Sequence, residues 1–366
     1  MNDLNAAASA PARAQAPAAT LALPARARFR VDARLLPLAV TLALFVLMFS
    51  AGSLLFDGFF SLQVFLNLFV DNAFLAITAI GMTFVILSGG IDLSVGSMIA
   101  LTTMLSATLL DRHGVSPALV IALALLLGAS FGFLQGLVIQ TFKIQPFIVT
   151  LAGMFLARGL CYLISIDSIA ITDPFYTKVS AVRFPLPFDT SISLNVVMAL
   201  AVLAAAVYLA HYTRFGRTVY AIGGSEQSAM LMGLPVGRTK VGLYALSGFC
   251  SALAGVTYTF YTSSGNATAG TMLELDAIAA VVIGGTLLSG GVGYVFGTLI
   301  GVLILGVIQT IITFEGTLSS WWTKIAIGLL LLGFILLQRY LQSSAGRGGS
   351  GVANPAMARN IPIICP

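Results

Sequence analysis

The chain has 366 residues, of which 58% are hydrophobic and 8% charged, and its net charge is +5. A soluble domain carries about 25% charged residues, so this chain cannot cover a water-facing surface. Its basic residues flank apolar runs and form no patch interleaved with aromatics, which argues against a nucleic-acid partner. The three cysteines form no C-x-x-C pair and no H-E-x-x-H is present, so neither a disulfide framework, a zinc site nor a metalloprotease is indicated.

Residues 1–34 are rich in Ala, Pro and Arg and lack an apolar core; they read as a disordered cytoplasmic tail, not a signal peptide. A membrane domain is expected over 35–341. Within it, ten crossings are predicted near 36–56, 64–88, 93–111, 117–140, 146–166, 193–212, 241–262, 275–289, 293–314 and 321–339. The expected class is an all-α polytopic membrane protein. Residues 342–366 read as a second flexible tail.

The stretch LSGGIDLSVGSMIAL, from Leu87 to Leu101, returns 201 positions later as LSGGVGYVFGTLIGV, from Leu288 to Val302. Such a repeat in apolar sequence points to two related units with a pathway between them. Gly89-Gly90 and Gly290-Gly291 interrupt the helices, so each copy is either a broken or a re-entrant helix. Asp92 stands where the second copy has Gly293. It either caps the helix that follows or takes part in gating.

Thirteen Lys and Arg residues fall on the side of the N-terminus and four on the other. The positive-inside rule then puts both termini in the cytoplasm. Gly128, Gly132 and Gly136, and again Gly297 and Gly301, have the spacing that lets helices approach closely in lipid.

The longest cytoplasmic loop, about 213–240, contains its own short helix. Ser225 is a suitable N-cap, Glu226 and Gln227 start the first turn, Gly233 ends it, and Pro235 prevents continuation. Met230, Leu231 and Met232 give this helix a soft apolar surface for a groove on another protein, or for the lipid surface. No Walker loop accompanies it. GLPVGRTK, from Gly233 to Lys240, has one residue too few between its glycines and Arg where Lys is required.

Polar residues inside the spans are the candidates for a solute path. Gln63, Asn67 and Asp71 follow one another at i, i+4 steps on one helix face. Gln309, Thr310 and Thr313 make a second cluster at the outer end of the ninth span. Arg158 lies within the fifth span, where it either snorkels or takes a protein-facing partner, for which sign alone offers Asp92. Tyr258 and Tyr261 are either sugar-stacking rings or interfacial anchors.

GRTVYAIGGSEQSAMLMGLPVGRTK, SGGIDLSVGS and TLAGMFLARGL together resemble permease subunits of ABC-type monosaccharide importers, the ribose, xylose and galactofuranose group. The pattern over roughly 36–340 is most similar to a galactofuranose importer permease. Many members carry Asn-Glu-Glu-type residues in the coupling segment, where this chain has Ser225-Glu226-Gln227. The resemblance implies a bacterial inner-membrane permease that forms the sugar path and takes no cofactor itself. It implies a cytoplasmic ATP-binding subunit holding ATP-Mg, a second, related permease and a periplasmic sugar-binding protein. A secondary transporter or channel for a small polar solute is the alternative, and branched-chain amino-acid permeases share the pattern more distantly.

Overall fold

The computed structural model describes residues 36–187, 190–319 and 321–348. The expected N-terminal tail, and the last stretch from residue 349, lie outside the described residues. The membrane domain consists of helices α1 (Leu36–Leu55), α2 (Leu62–Asp71), α3 (Ala73–Leu87), α4 (Val95–Ala107), α5 (Pro117–Phe142), α6 (Pro146–Ile164), α7 (Pro174–Ala181) and α8 (Leu194–Tyr212). It continues through α9 (Arg214–Gly224), α10 (Glu226–Leu231), α11 (Val236–Thr262), α12 (Leu273–Ile283), α13 (Val295–Glu315) and α14 (Trp321–Gly348). The last helix therefore runs past residue 341, where the sequence suggests a tail.

Among the described residues, seven helices are long and apolar enough to cross a membrane. The α2–α3 pair, bent by 57° at Asn72, is either a broken eighth span or a re-entrant loop. The expected third and eighth spans are not single regular α-helices: α4 has 13 residues and runs into a five-residue π-helical turn, and α12 has 11. Residues 88–94 lead into α4. Residues 264–272 run alongside α4, with Gly265 against Thr103 and Ala107 and Gly270 against Gly96.

Lipid tails are as apolar as Leu, so burial of apolar surface does not drive helices together here; close packing does. Gly128, Gly132 and Gly136 place α5 directly on α11. A β-carbon at Gly132 would run into the Tyr244 carbonyl, and one at Gly128 into that of Gly248. Gly297 and Gly301 do the same for α13 on α12, against the carbonyls of Gly284 and Ala280. Ala79, Ile80, Ala280, Val281, Val302 and Leu303 fill the centre among α3, α12 and α13. Leu47, Leu126 and Leu329, each about two-thirds exposed, point outward as a lipid-facing belt would require.

The face opposite α10 carries a small cap. Strand β1 (Ile169–Ala170) pairs with β4 (Ser264–Gly265), and β2 (Arg183–Leu186) pairs with β3 (Thr190–Ser193). Asp111, in a π-helical turn after α4, accepts the amide and hydroxyl of Thr172 and ties this cap down.

Candidate functional site

The two copies of the repeat meet. The Gly291 amide donates to the Leu87 carbonyl at 2.9 Å, and Gly290 lies against Gly89, its counterpart 201 positions earlier. Gly89, Gly290 and Gly291 all have φ near +80°, a conformation that glycine alone adopts without strain. These glycines are thus required by the turn as well as by the contact. Gly223 of α9 closes the junction, since a β-carbon there would strike both the Leu87 carbonyl and Gly291.

α9 and α10 sit on this junction. Thr213 caps α9, its hydroxyl accepting the Gly216 amide. The bare Gly216 lets α9 turn tightly back on the end of α8, against the Ala210 carbonyl. Tyr220 donates from its phenol to the Gly293 carbonyl at 2.9 Å. Burial, reinforced by Tyr294, pushes that phenol up to about 12, so it remains a neutral donor at physiological pH.

α10 follows the sequence reading closely. Ser225 caps it by accepting the Ser228 amide. Gly233 has φ +76°, and α11 begins after Pro235. Glu226 pairs with Lys240 at 2.7 Å, and Ala229 is fully buried against Ile222 and Val236. Met230, Leu231 and Met232 remain exposed, Leu231 by 84%. Six residues make a helix far too short to persist alone in water; its cap, the ion pair and one buried alanine fix it to α9 and α11.

Asp92 is buried at the start of α4. One carboxylate oxygen accepts the Ser94 amide and hydroxyl at 2.9 and 2.7 Å, and the other accepts the Ser247 hydroxyl of α11 at 2.7 Å. Three donors satisfy a buried carboxyl group whose oxygens would otherwise be costly to desolvate. Ser94 also reaches Gln135 of α5 at 3.2 Å. Asp92 thus ties the irregular half of the third span to α4, α5 and α11.

Arg158 does not pair with Asp92. It donates to the carbonyls of Ala267 and Ala269 at 2.6 and 2.8 Å. Non-helical backbone at membrane depth must find donors within the protein. Arg158 supplies two donors to the turns between β4 and α12.

The remaining polar residues line two adjoining clefts on the face opposite α10. The smaller, about 210 Å³, brings Asn67 and Asp71 together with Gln309, Thr310 and Thr313. Gln63 is outside it and donates to Asn67 at 2.8 Å. The larger, about 500 Å³, shares Gln309 and Thr313 and adds Asp276 and Lys324. Asn72 lies where the clefts meet. Tyr261 donates to Asp71 at 3.1 Å. Tyr258 is not free to stack on a solute, because its ring packs edge-on against Phe74 at 4.9 Å. Asp92 and Arg158 lie outside both clefts.

Sequence reasoning missed Asn72, Asp276, Glu274 and Lys324 as site residues. Lys324 counts as a loop charge on its position alone; its partner Asp276 is 48 residues away. Among the described residues, no group of three His, Cys, Asp or Glu is placed to hold a metal ion.

Residues 64–335 match the family described as branched-chain amino acid transport system / permease component. The chain is 53% identical to the inner membrane ABC transporter permease protein YjfF of Escherichia coli K12, over 84% of this chain and 93% of that protein. It is 42% identical to the fructose import permease FruG of Bifidobacterium longum, over 87% of this chain and 95% of that one. It is 41% identical to the ribose import permease RbsC of Bacillus subtilis, over 85% and 95% respectively. No solved structure matches. The chain belongs to this permease-component family. The family description carries the branched-chain name that the sequence reading set apart, while these relatives are named for sugars or for ABC transport.

Proposed function

We propose that this chain is the membrane permease subunit of an ATP-driven importer for a monosaccharide, galactofuranose or a close analogue, in the bacterial inner membrane. The observation that carries the reading is the placement of α10. Its exposed Met230–Met232 edge faces away from the membrane domain, while its base rests, through α9, on the Gly–Gly junction of the repeat. A partner ATPase that grips this edge has a rigid lever on both broken spans at once.

In this reading the α10 face is cytoplasmic, with both termini on that side, and ATP-Mg is held by the partner. Closure of the ATPase moves α10, α9 follows, and the junction passes the shift to residues 88–94 and to the α12–α13 turn. Access then alternates between the two faces. On the opposite face, the Asn67–Asp71–Gln309–Thr313 cleft is the mouth through which a periplasmic binding protein delivers sugar. A second, related permease completes the path. The similarity to sugar permeases supports the substrate class, and the sequence pattern supports galactofuranose within it.

The test is reconstitution in proteoliposomes with the ATPase, the second permease and the sugar-binding protein that act with this chain. Uptake of labelled galactose, ribose and fructose is followed with and without internal ATP. ATP-dependent uptake that requires the binding protein is expected. Uptake driven by an ion gradient in the absence of the ATPase would instead make the chain a secondary carrier.

A further inference from the structure

The 500 Å³ cleft contains a feature that packing does not require. Lys324 of α14 pairs with Asp276 of α12 at 2.5 Å, with both side chains only partly exposed. Exposed or half-exposed pairs contribute little stability, and charges within a membrane protein are costly unless they have a use. Leu305, Ile312 and Ile327 supply apolar wall beside the pair. Its volume falls within the roughly 300–1,000 Å³ of small-molecule sites.

The chemistry of the lining is specific. Lys324 engages one oxygen of Asp276; the other oxygen remains an acceptor, and the ammonium has three donors in all. Gln309 adds a primary amide, which both donates and accepts. Donors and acceptors thus alternate beside an apolar wall, and the charges cancel. A free anion entering here would face the carboxylate, and a free cation the ammonium. A neutral polyol suits both, since each hydroxyl can donate to Asp276 or accept from Lys324 while the C–H face of its ring lies on the aliphatic wall.

We infer that the Asp276–Lys324 cleft is a binding site for a neutral monosaccharide within the permease itself. It would hold the sugar after release from the binding protein and before the path opens inward, and would exclude charged sugars. This rests on the transport reading above and assigns that reading a selectivity site.

The experiment uses the full permease–ATPase complex in lipid nanodiscs without the binding protein. Equilibrium binding of tritiated galactose, ribose and fructose is measured, with galacturonate and glucosamine as charged competitors. ATP-dependent uptake in proteoliposomes is measured in parallel. At least one neutral sugar that is imported should bind to the complex, and neither charged sugar should displace it. Asp276→Asn and Lys324→Gln should each weaken binding and raise the uptake KM by roughly tenfold, the loss of one charge-assisted hydrogen bond. Asp276→Glu should restore part of the affinity. The double exchange D276K/K324D separates binding from structure, because it keeps an ion pair between α12 and α14 but inverts donors and acceptors. It should assemble normally and still bind poorly. Wild-type affinity in that exchange, or unchanged uptake KM in both single variants, would overturn the site while leaving the transport reading intact. Absence of ATP-dependent uptake of any neutral sugar by the wild type would overturn both.

Discussion

Leu87 and Gly291 are joined across the repeat by a 2.9 Å hydrogen bond from the Gly291 amide to the Leu87 carbonyl. Leu87 opens the first copy of the repeat, and Gly291 is the last glycine of the matching pair in the second. The two copies touch at their glycine breaks, and Gly223 of α9 is wedged against both. In the proposed reading, a signal that enters at α10 reaches both breaks through this contact.

Gly223→Ala tests the wedge. The added methyl would strike the Leu87 carbonyl and Gly291, and neither backbone group can give way cheaply. Overpacking of this kind costs about 1–3 kcal/mol. A lower unfolding temperature of the purified complex is expected, together with ATP hydrolysis that no longer drives uptake. Gly224→Ala is the control, since a β-carbon there meets open space.

Asp92→Ala removes the acceptor for three donors, two of them on Ser94 and one on Ser247. Leaving a buried donor unsatisfied costs about 1–3 kcal/mol. Asp92→Ala should therefore be strongly destabilised in a thermal unfolding assay. Ser247→Ala removes one of the three and should fall between it and the wild type.

Arg158→Ala leaves the Ala267 and Ala269 carbonyls without their donor at membrane depth. The turn segment 266–272 should loosen while the helices persist. A cysteine placed at Thr268, which is exposed, should react faster with a membrane-impermeant maleimide in the Arg158→Ala background. Arg158→Lys, with a single-point donor and no planar fork, should give an intermediate rate. Equal rates in all three would show that Arg158 does not hold the segment.

What was legible in the sequence was what local chemistry decides. The cap at Ser225, the turn at Gly233 and the exposed Met230–Met232 edge follow from side chains within one short window. The glycine stripes on α5 and α13 could be read from spacing alone. Arg158 could not, because its partners are backbone carbonyls, and a carbonyl has no residue identity to search for. Sign alone suggested Asp92, whose real partners are two serines. The kink at Asn72 and the short length of α12 also escaped, since hydropathy counts apolar residues whether or not they are helical. Asp276 and Lys324 looked like unrelated residues at segment ends until α12 and α14 brought them together.

The most direct test of the central claim is Leu231→Asp, a charge placed on the most exposed residue of the Met230–Met232 edge. Membrane insertion, thermal stability and binding of the sugar-binding protein should be those of the wild type. Co-purification of the ATPase and ATP-dependent sugar uptake should both be lost. Wild-type uptake in Leu231→Asp would contradict the account, because energy would then enter the membrane domain somewhere other than α10.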